Sequence, residues 1–365
     1  MRRLALIAAL LLAPLAAPRP AWAQPVLNVY NWTDYIDPHV VQRFQQETGI
    51  RIRYDVYDSL ETLEGKLSAG RSGYDLIVPT SEPTFARLVR AGALLPLDRA
   101  RIPNWRNLDT GLMARAAVAD PGNAHGAIYL WGTVGMGLRL DRIRDIAPDL
   151  ALDSLDVLLK PENARRLAGC GLAVMDSATD VLPSVLRWLG RDPDSTDPAD
   201  LRAAEAALLA IRPHLRAIPG SGALLDMLAT GEVCAALAYS GDVIQAAARA
   251  REAGRGVEIG YAAPAAGPQI FFDMLAIPAD APHPEAAHAF IDFLLRPEVI
   301  AAVSSHVRYP NAVPASRPLI AAPVREDSNV YPPEAALARA FVPGTPGPQA
   351  ERLRSRLWSR FRAGR

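Results

Sequence analysis

Lysine is almost missing from this 365-residue chain: Lys66 and Lys160 are the only two, and arginine supplies the rest of the 39 basic residues. These are matched by 39 acidic residues. No excess of positive charge is available to neutralise a phosphate backbone, which excludes nucleic acid as the main partner. Cysteine occurs only at Cys170 and Cys234. The six histidines are scattered, without the i,i+4 spacing or adjacent glutamate of a zinc helix. No G-x-S-x-G elbow, P-loop or G-x-G-x-x-G fingerprint follows a predicted strand, and Gly135-Met136-Gly137 is only a fragment of the last. The residues therefore call for no metal and no cofactor. The apolar run Leu4 to Ala17 is too short and too poorly flanked for a membrane span. A hydrophobic content of 50% with 21% charged residues excludes a disordered chain, and the length suits about two domains.

The apolar run has another reading. Arg2 and Arg3 precede it and Ala21-Trp22-Ala23 closes it, the charged start and small-x-small cleavage pattern of a secretory signal over residues 1–23. No cysteine lies near the cleavage point, which argues against a lipid anchor, and the expected destination is the periplasm. Removing Arg2, Arg3 and Arg19 leaves 36 basic against 39 acidic residues, so the exported chain is mildly acidic. In an oxidising compartment the isolated pair Cys170 and Cys234 reads as a disulfide.

After the signal, strand and helix patterns alternate. Leu27 to Trp32 predicts a strand. Asp37 then offers an N-cap, Pro38 a first helical position and Gly49 a stop. Ile50, Ile52, Tyr54 and Val56 alternate with Arg51, Arg53 and Asp55 as a second strand, and Asp58 with Glu61 resembles a capping box before another helix. Tyr74 to Val78, ended by Pro79, predicts a buried strand. Further on, helices are expected around Pro183 to Leu189, Ala203 to Leu209 and Pro284 to Leu295, and strands at Val233 to Tyr239 and Ile270 to Ile277. The succession argues for an α/β protein of two lobes joined by more than one crossing of the chain. The basic segment Gln349 to Arg362 carries Leu353, Leu357, Trp358 and Phe361 at helical spacing; docking on the protein is favoured over lying on a membrane surface.

In such folds ligands meet the loops beyond strand ends. There the sequence repeats one combination, carboxylates beside aromatics: Trp32 and Tyr35 flank Asp34, Tyr239 precedes Asp242, and Phe271 and Phe272 precede Asp273. An organic ammonium needs anionic acceptors for its N–H donors and gains from a ring face, and a methylene chain lies well between aromatic planes. A diamine needs both elements twice.

Several segments carry a resemblance over nearly the whole chain from residue 26. Tyr30-Asn31-Trp32-Thr33-Asp34-Tyr35, Glu47-Thr48-Gly49-Ile50, Tyr74-Asp75-Leu76-Ile77-Val78-Pro79, Ser240-Gly241-Asp242-Val243 and Phe271-Phe272-Asp273 resemble the periplasmic polyamine-binding proteins of ABC transporters, the putrescine-binding members above all. The resemblance implies a type II periplasmic binding fold, two α/β lobes with a hinge and an interlobe ligand cleft. It places lobe 1 at about 24–134 and 262–308 and lobe 2 at about 135–261 and 309–365. It implies a monomeric, non-enzymatic receptor that hands a polyamine to permease subunits in the inner membrane. Its ligand positions carry over as Trp32, Thr33, Asp34, Tyr35, Thr80, Ser81, Asp180, Tyr239, Asp242, Phe271, Asp273 and Tyr309. Trp32, Tyr239 and Phe271 wall the methylene chain, Asp242 and Asp273 accept one ammonium, and Asp180 with the Thr33-Asp34 segment accepts the other. The cysteines also fall where putrescine binders have a disulfide.

Thr33, Asp180 and Tyr239 stand where the family usually has Ser, Glu and Trp, and a pocket lysine is replaced around Gly344. Spermidine, cadaverine and agmatine therefore stay open beside putrescine. A receptor for another small cation or ferric iron, a polyamine sensor without transport, and a secreted hydrolase pairing Asp242 with a histidine are the competing readings.

Overall fold

The described chain begins with two parallel strands whose order follows from local signals. In the computed structural model, which describes residues 24–364, strand β1 (Val26–Trp32) pairs with β2 (Arg51–Tyr57) along its full length. The expected signal peptide 1–23 lies outside the described residues. Between the strands, Asp37 Oδ1 accepts the His39 backbone N–H at 2.9 Å, Pro38 opens the helix Pro38–Thr48, and Gly49 ends it at φ 69°. β2 forms one edge of the sheet, with Arg51, Arg53 and Asp55 in solvent. The next helix, Leu60–Ser68, is capped by Ser59, whose hydroxyl accepts the Thr62 N–H at 3.1 Å. The expected Asp58/Glu61 capping box is thus displaced by one residue: Ser59 takes the extended cap conformation and Glu61 falls in the first turn. The apolar run at Tyr74 to Val78 is buried throughout, yet only β3 (Leu76–Ile77) is strand.

Two strands join the halves of the molecule. β4 (Gly126–Arg139) runs antiparallel to β8 (Gln269–Ala276) over its first half, from Gly126 opposite Ala276 to Val134 opposite Gln269. At Val134 it changes partners. Its second half pairs with β6 (Ala235–Tyr239) and β7 (Ile259–Ala262), and β5 (Leu172–Val174) extends that side parallel to β6. The sheet order is β2-β1-β3-β8-β4-β6-β5, with β7 also on β4. Gly135 within β4 admits Tyr261: a Cβ there would lie 2.4 Å from its hydroxyl, so this glycine serves packing between strands.

A third connection runs near the C-terminus. Asn311 bridges to Leu130, and Trp131 N–H donates to Pro310 O at 2.9 Å, so residues 310 and 311 belong with the first half of β4. Phe341 then bridges to Gln269 before the helix Pro348–Ala363. That helix buries Leu357, Trp358 and Phe361, and Trp358 Nε1 donates to Asp176 Oδ1 at 2.8 Å. Its apolar stripe packs on the protein itself. No helix among the described residues is long and apolar enough to cross a membrane.

Cys170 and Cys234 form a disulfide with Cα atoms 5.6 Å apart, tying the approach to β5 to the start of β6 across a sequence separation of 64. Cross-linking a loop of that length restricts the unfolded chain by about 4 kcal/mol in the entropy model. Replacing both cysteines with serine is therefore expected to lower the melting temperature by roughly 5 °C. Scanning calorimetry on the double variant checks this.

Candidate ligand-binding site

The period of β8 sets out much of the site. Gln269, Phe271 and Asp273 alternate along the strand and share one face, while Phe272 and Met274 enter the core on the other. Asp273 sits opposite Leu130 and also bridges to Thr80, just past β3. Thr80 Oγ1 donates to Asp273 Oδ1 and Tyr35 OH to Asp273 Oδ2, each at 2.7 Å. Tyr35 is held in turn by Tyr129, whose hydroxyl donates to its carbonyl at 2.9 Å.

From the other half comes Asp242, in the first turn of the helix Ser240–Glu252 that follows β6. A helix N-terminus favours negative charge. Tyr309 OH donates to Asp242 Oδ1 at 2.8 Å and accepts the Asp242 backbone N–H at 3.1 Å. This close approach needs Gly241, where a Cβ would fall 2.2 Å from the Tyr309 ring. Asp242 Oδ2 makes no hydrogen bond within the described residues.

The rings form a continuous wall. Tyr239 lies 6.4 Å from Trp32 and 5.2 Å from Phe271 between centroids, Phe271 lies 6.2 Å from Tyr309, and Tyr309 lies 5.0 Å from Tyr35. Trp32 is oriented by its indole N–H, which donates to Val78 O at 3.0 Å. Together Trp32, Thr33, Tyr35, Thr80, Ser221, Tyr239, Asp242, Phe271, Asp273 and Tyr309 line a cavity of about 320 Å³, counting its mouth. Two carboxylates and no cationic side chain face it. The described residues contain no group of three or more His, Cys, Asp or Glu suited to a metal.

Nine of the twelve positions named from sequence thus line one cavity, and three do not. Asp34 turns away at φ 56° and pairs with Arg249 at 3.0 Å on the surface. Ser81 is buried without reaching the cavity. Asp180 lies behind Tyr239, whose hydroxyl donates to its Oδ2 at 2.7 Å. Ser221 was missed; it opens the helix Ser221–Thr230, and the triplet Gly220-Ser221-Gly222 was its only sequence signal.

Burial pushes the carboxyl groups of Asp242 and Asp273 up to about 7, against the pull of their hydroxyl donors. Repulsion from Asp34 and then Asp273 adds to the rise at Asp242, and Asp180 adds to it at Asp273. Desolvation likewise raises the phenols of Tyr35, Tyr239 and Tyr309, which keeps them as donors.

Residues 39–330 match the bacterial extracellular solute-binding proteins, and the chain belongs to that family, whose members are transport proteins rather than enzymes. The putrescine-binding periplasmic protein SpuD of Pseudomonas aeruginosa is 42% identical over 362 residues, covering 99% of this chain and 98% of its own. The putrescine-binding periplasmic protein PotF of Escherichia coli is 42% identical over 94% of this chain and 92% of its own. A putrescine/agmatine-binding protein of Pseudomonas aeruginosa is 40% identical over 94% of each chain. Among solved structures, the spermidine/putrescine ABC transporter substrate-binding protein PotD of Streptococcus pneumoniae superposes with a TM-score of 0.75 at 26% identity, over 93% of this chain and 99% of its own. The TpPotD lipoprotein of Treponema pallidum gives 0.77 at 25% identity, over 93% and 99%.

A carboxyl whose folded value lies above its unfolded one binds its proton more tightly in the native state, so its contribution to stability is lost as pH rises from about 4 to about 7. For the buried Asp273 a gap of this size amounts to about 4 kcal/mol, and less for the partly exposed Asp242. Without ligand, the wild type is expected to lose more stability between pH 5 and pH 8 than Asp273→Asn does. Urea unfolding at both pH values measures this, and equal losses would contradict it.

Proposed function

We propose that the protein is a monomeric periplasmic receptor that captures a polyamine, putrescine first, and delivers it to the permease subunits of an ABC importer. The observation that carries this reading is Asp242 and Asp273, contributed by opposite halves of the sheet, facing one aromatic-walled cavity with no cationic side chain in its lining. A primary ammonium supplies that charge and the N–H donors, and the four-carbon chain lies along Trp32, Tyr239 and Phe271. Asp242 and Asp273 take one ammonium. The second falls to polar groups of Thr33 and Ser221, which line the same cavity. The two 42%-identical relatives named for putrescine support the choice of first ligand. No covalent step belongs to this role.

The sheet supports a division into two lobes, residues 24–134 with about 262–331 and 135–261 with the segment after Tyr331. Residues 310 and 311 bond to the first half of β4, which supports keeping the chain in the first lobe past residue 309. Ligand binding closes the lobes, since each contributes only part of the acceptor set and closure removes the charges from screening water.

Titration calorimetry against putrescine, cadaverine, spermidine, spermine and agmatine tests the reading; binding of all five weaker than millimolar would overturn it. Asp242→Asn and Asp273→Asn are each expected to weaken putrescine binding on the order of 100-fold, the cost of removing one partner of a buried charge pair.

The pH dependence follows from the carboxyl values near 7. The diamine stays doubly protonated through neutrality, whereas the carboxylates must ionise to receive it. Affinity is expected to rise from pH 6 to pH 8, with protons released on binding at pH 6.5. Calorimetry at pH 6.5 in two buffers of different ionisation enthalpy detects the release; identical heats would refute it.

A further inference from the structure

Asp180 is 4% exposed, in the first turn of the helix Ala178–Trp188, and three donors converge on it. Gln269 Nε2 reaches Oδ1 at 2.7 Å, while Ser177 Oγ at 2.5 Å and Tyr239 OH at 2.7 Å share Oδ2. A carboxylate has about four lone-pair sites, so most of its accepting capacity is used within the protein. It does not line the cavity; the Tyr239 ring does. Gln269 occupies a structural junction. Its backbone stands opposite Val134, where β4 changes partners, and bridges to Phe341 on the third connection; Val134 is in turn the register partner of Tyr239.

We propose that Asp180 and Gln269 are positioning residues that hold the Tyr239 ring in the cavity wall by anchoring its hydroxyl, and that Asp180 does not receive the ligand's second ammonium. This rests on the polyamine reading of the same site. A phenol donating to a carboxylate makes a strong, charge-assisted bond, and it fixes a ring that would otherwise lose rotational freedom on each binding event. The Asp-Tyr pair explains itself as a unit: the short carboxylate leaves room for the hydroxyl, and the hydroxyl covers the carboxylate. Gln269 holds the other oxygen, so the anchor is tied to the strand that carries Phe271 and Asp273.

The test compares putrescine with 1-aminobutane, which keeps the four-carbon chain and one ammonium and lacks the other. Both amines are titrated into the full mature chain as wild type, Asp180→Asn, Gln269→Leu, Tyr239→Phe and the Asp180→Asn/Tyr239→Phe double variant, with each variant's melting curve recorded. The proposal expects each single variant to weaken both amines by the same factor, roughly 10-fold for one hydrogen bond to a charged group. Asp180→Asn should then cost less than about 2-fold when Tyr239 is already Phe, because residues acting through one contact are not additive. A larger loss for putrescine than for 1-aminobutane, or a full additional loss in the double variant, would place Asp180 on the ammonium and overturn the inference; so would unchanged affinities. If Asp180→Asn does not fold, Gln269→Leu and Tyr239→Phe decide by the same equal-factor criterion. A wild type that binds neither amine overturns the receptor reading and this inference together, whereas wild-type binding with the wrong variant pattern overturns the inference alone.

Discussion

Uncompensated negative charge where the two half-sheets meet is the constraint around which this protein is organised. Asp242 and Asp273 face a small cavity without a cationic neighbour in its lining, and burial makes ionisation costly for both. Their surroundings lower that cost without removing it: Tyr309 serves Asp242, and Tyr35 and Thr80 serve Asp273. Hydroxyl donors moderate the charge and leave acceptor capacity free. A lysine or arginine in their place would stabilise the empty protein and abolish the attraction for an organic cation. The site is unfinished, and in the proposed receptor role a ligand's ammonium completes it.

The backbone that brings these groups together is economical. β4 is shared by both halves and changes partners at Val134, while β8 presents Gln269, Phe271 and Asp273 toward the same face. A side chain on either strand near that junction is within reach of both halves. The aromatic wall follows the same logic: Trp32 and Tyr35 come from one half, Tyr239 from the other, and Phe271 lies between them. Small displacements of one half against the other would change the distances among these rings directly.

Much of the first half was legible in the chain. The Asp37-Pro38 start and Gly49 stop act within a few residues, so they predict the helix Pro38–Thr48 without tertiary information. The alternation at Ile50 to Val56 marked β2 for the same reason. Where the outcome depended on partners, local reading was weaker. Tyr74 to Val78 is buried as expected, but only two residues keep strand pairing, because the chain turns toward Thr80 and Asp273. The long β4 left no comparable signal: its residues are buried on both faces, so apolarity shows no period from which to read a strand.

By itself the sequence determined the inventory: few lysines, carboxylates beside aromatics at strand ends, one cysteine pair, and the resemblance that pointed to a binding protein. Only the tertiary structure decided how the carboxylates are employed. Asp34, Asp180, Asp242 and Asp273 look alike along the chain, yet Asp34 pairs with Arg249, Asp180 is occupied by Ser177, Tyr239 and Gln269, and only Asp242 and Asp273 face the cavity. The reason is that a carboxylate's role depends on which donors and charges lie within a few ångströms, and those neighbours come from residues as many as 238 positions away, as Tyr35 does for Asp273.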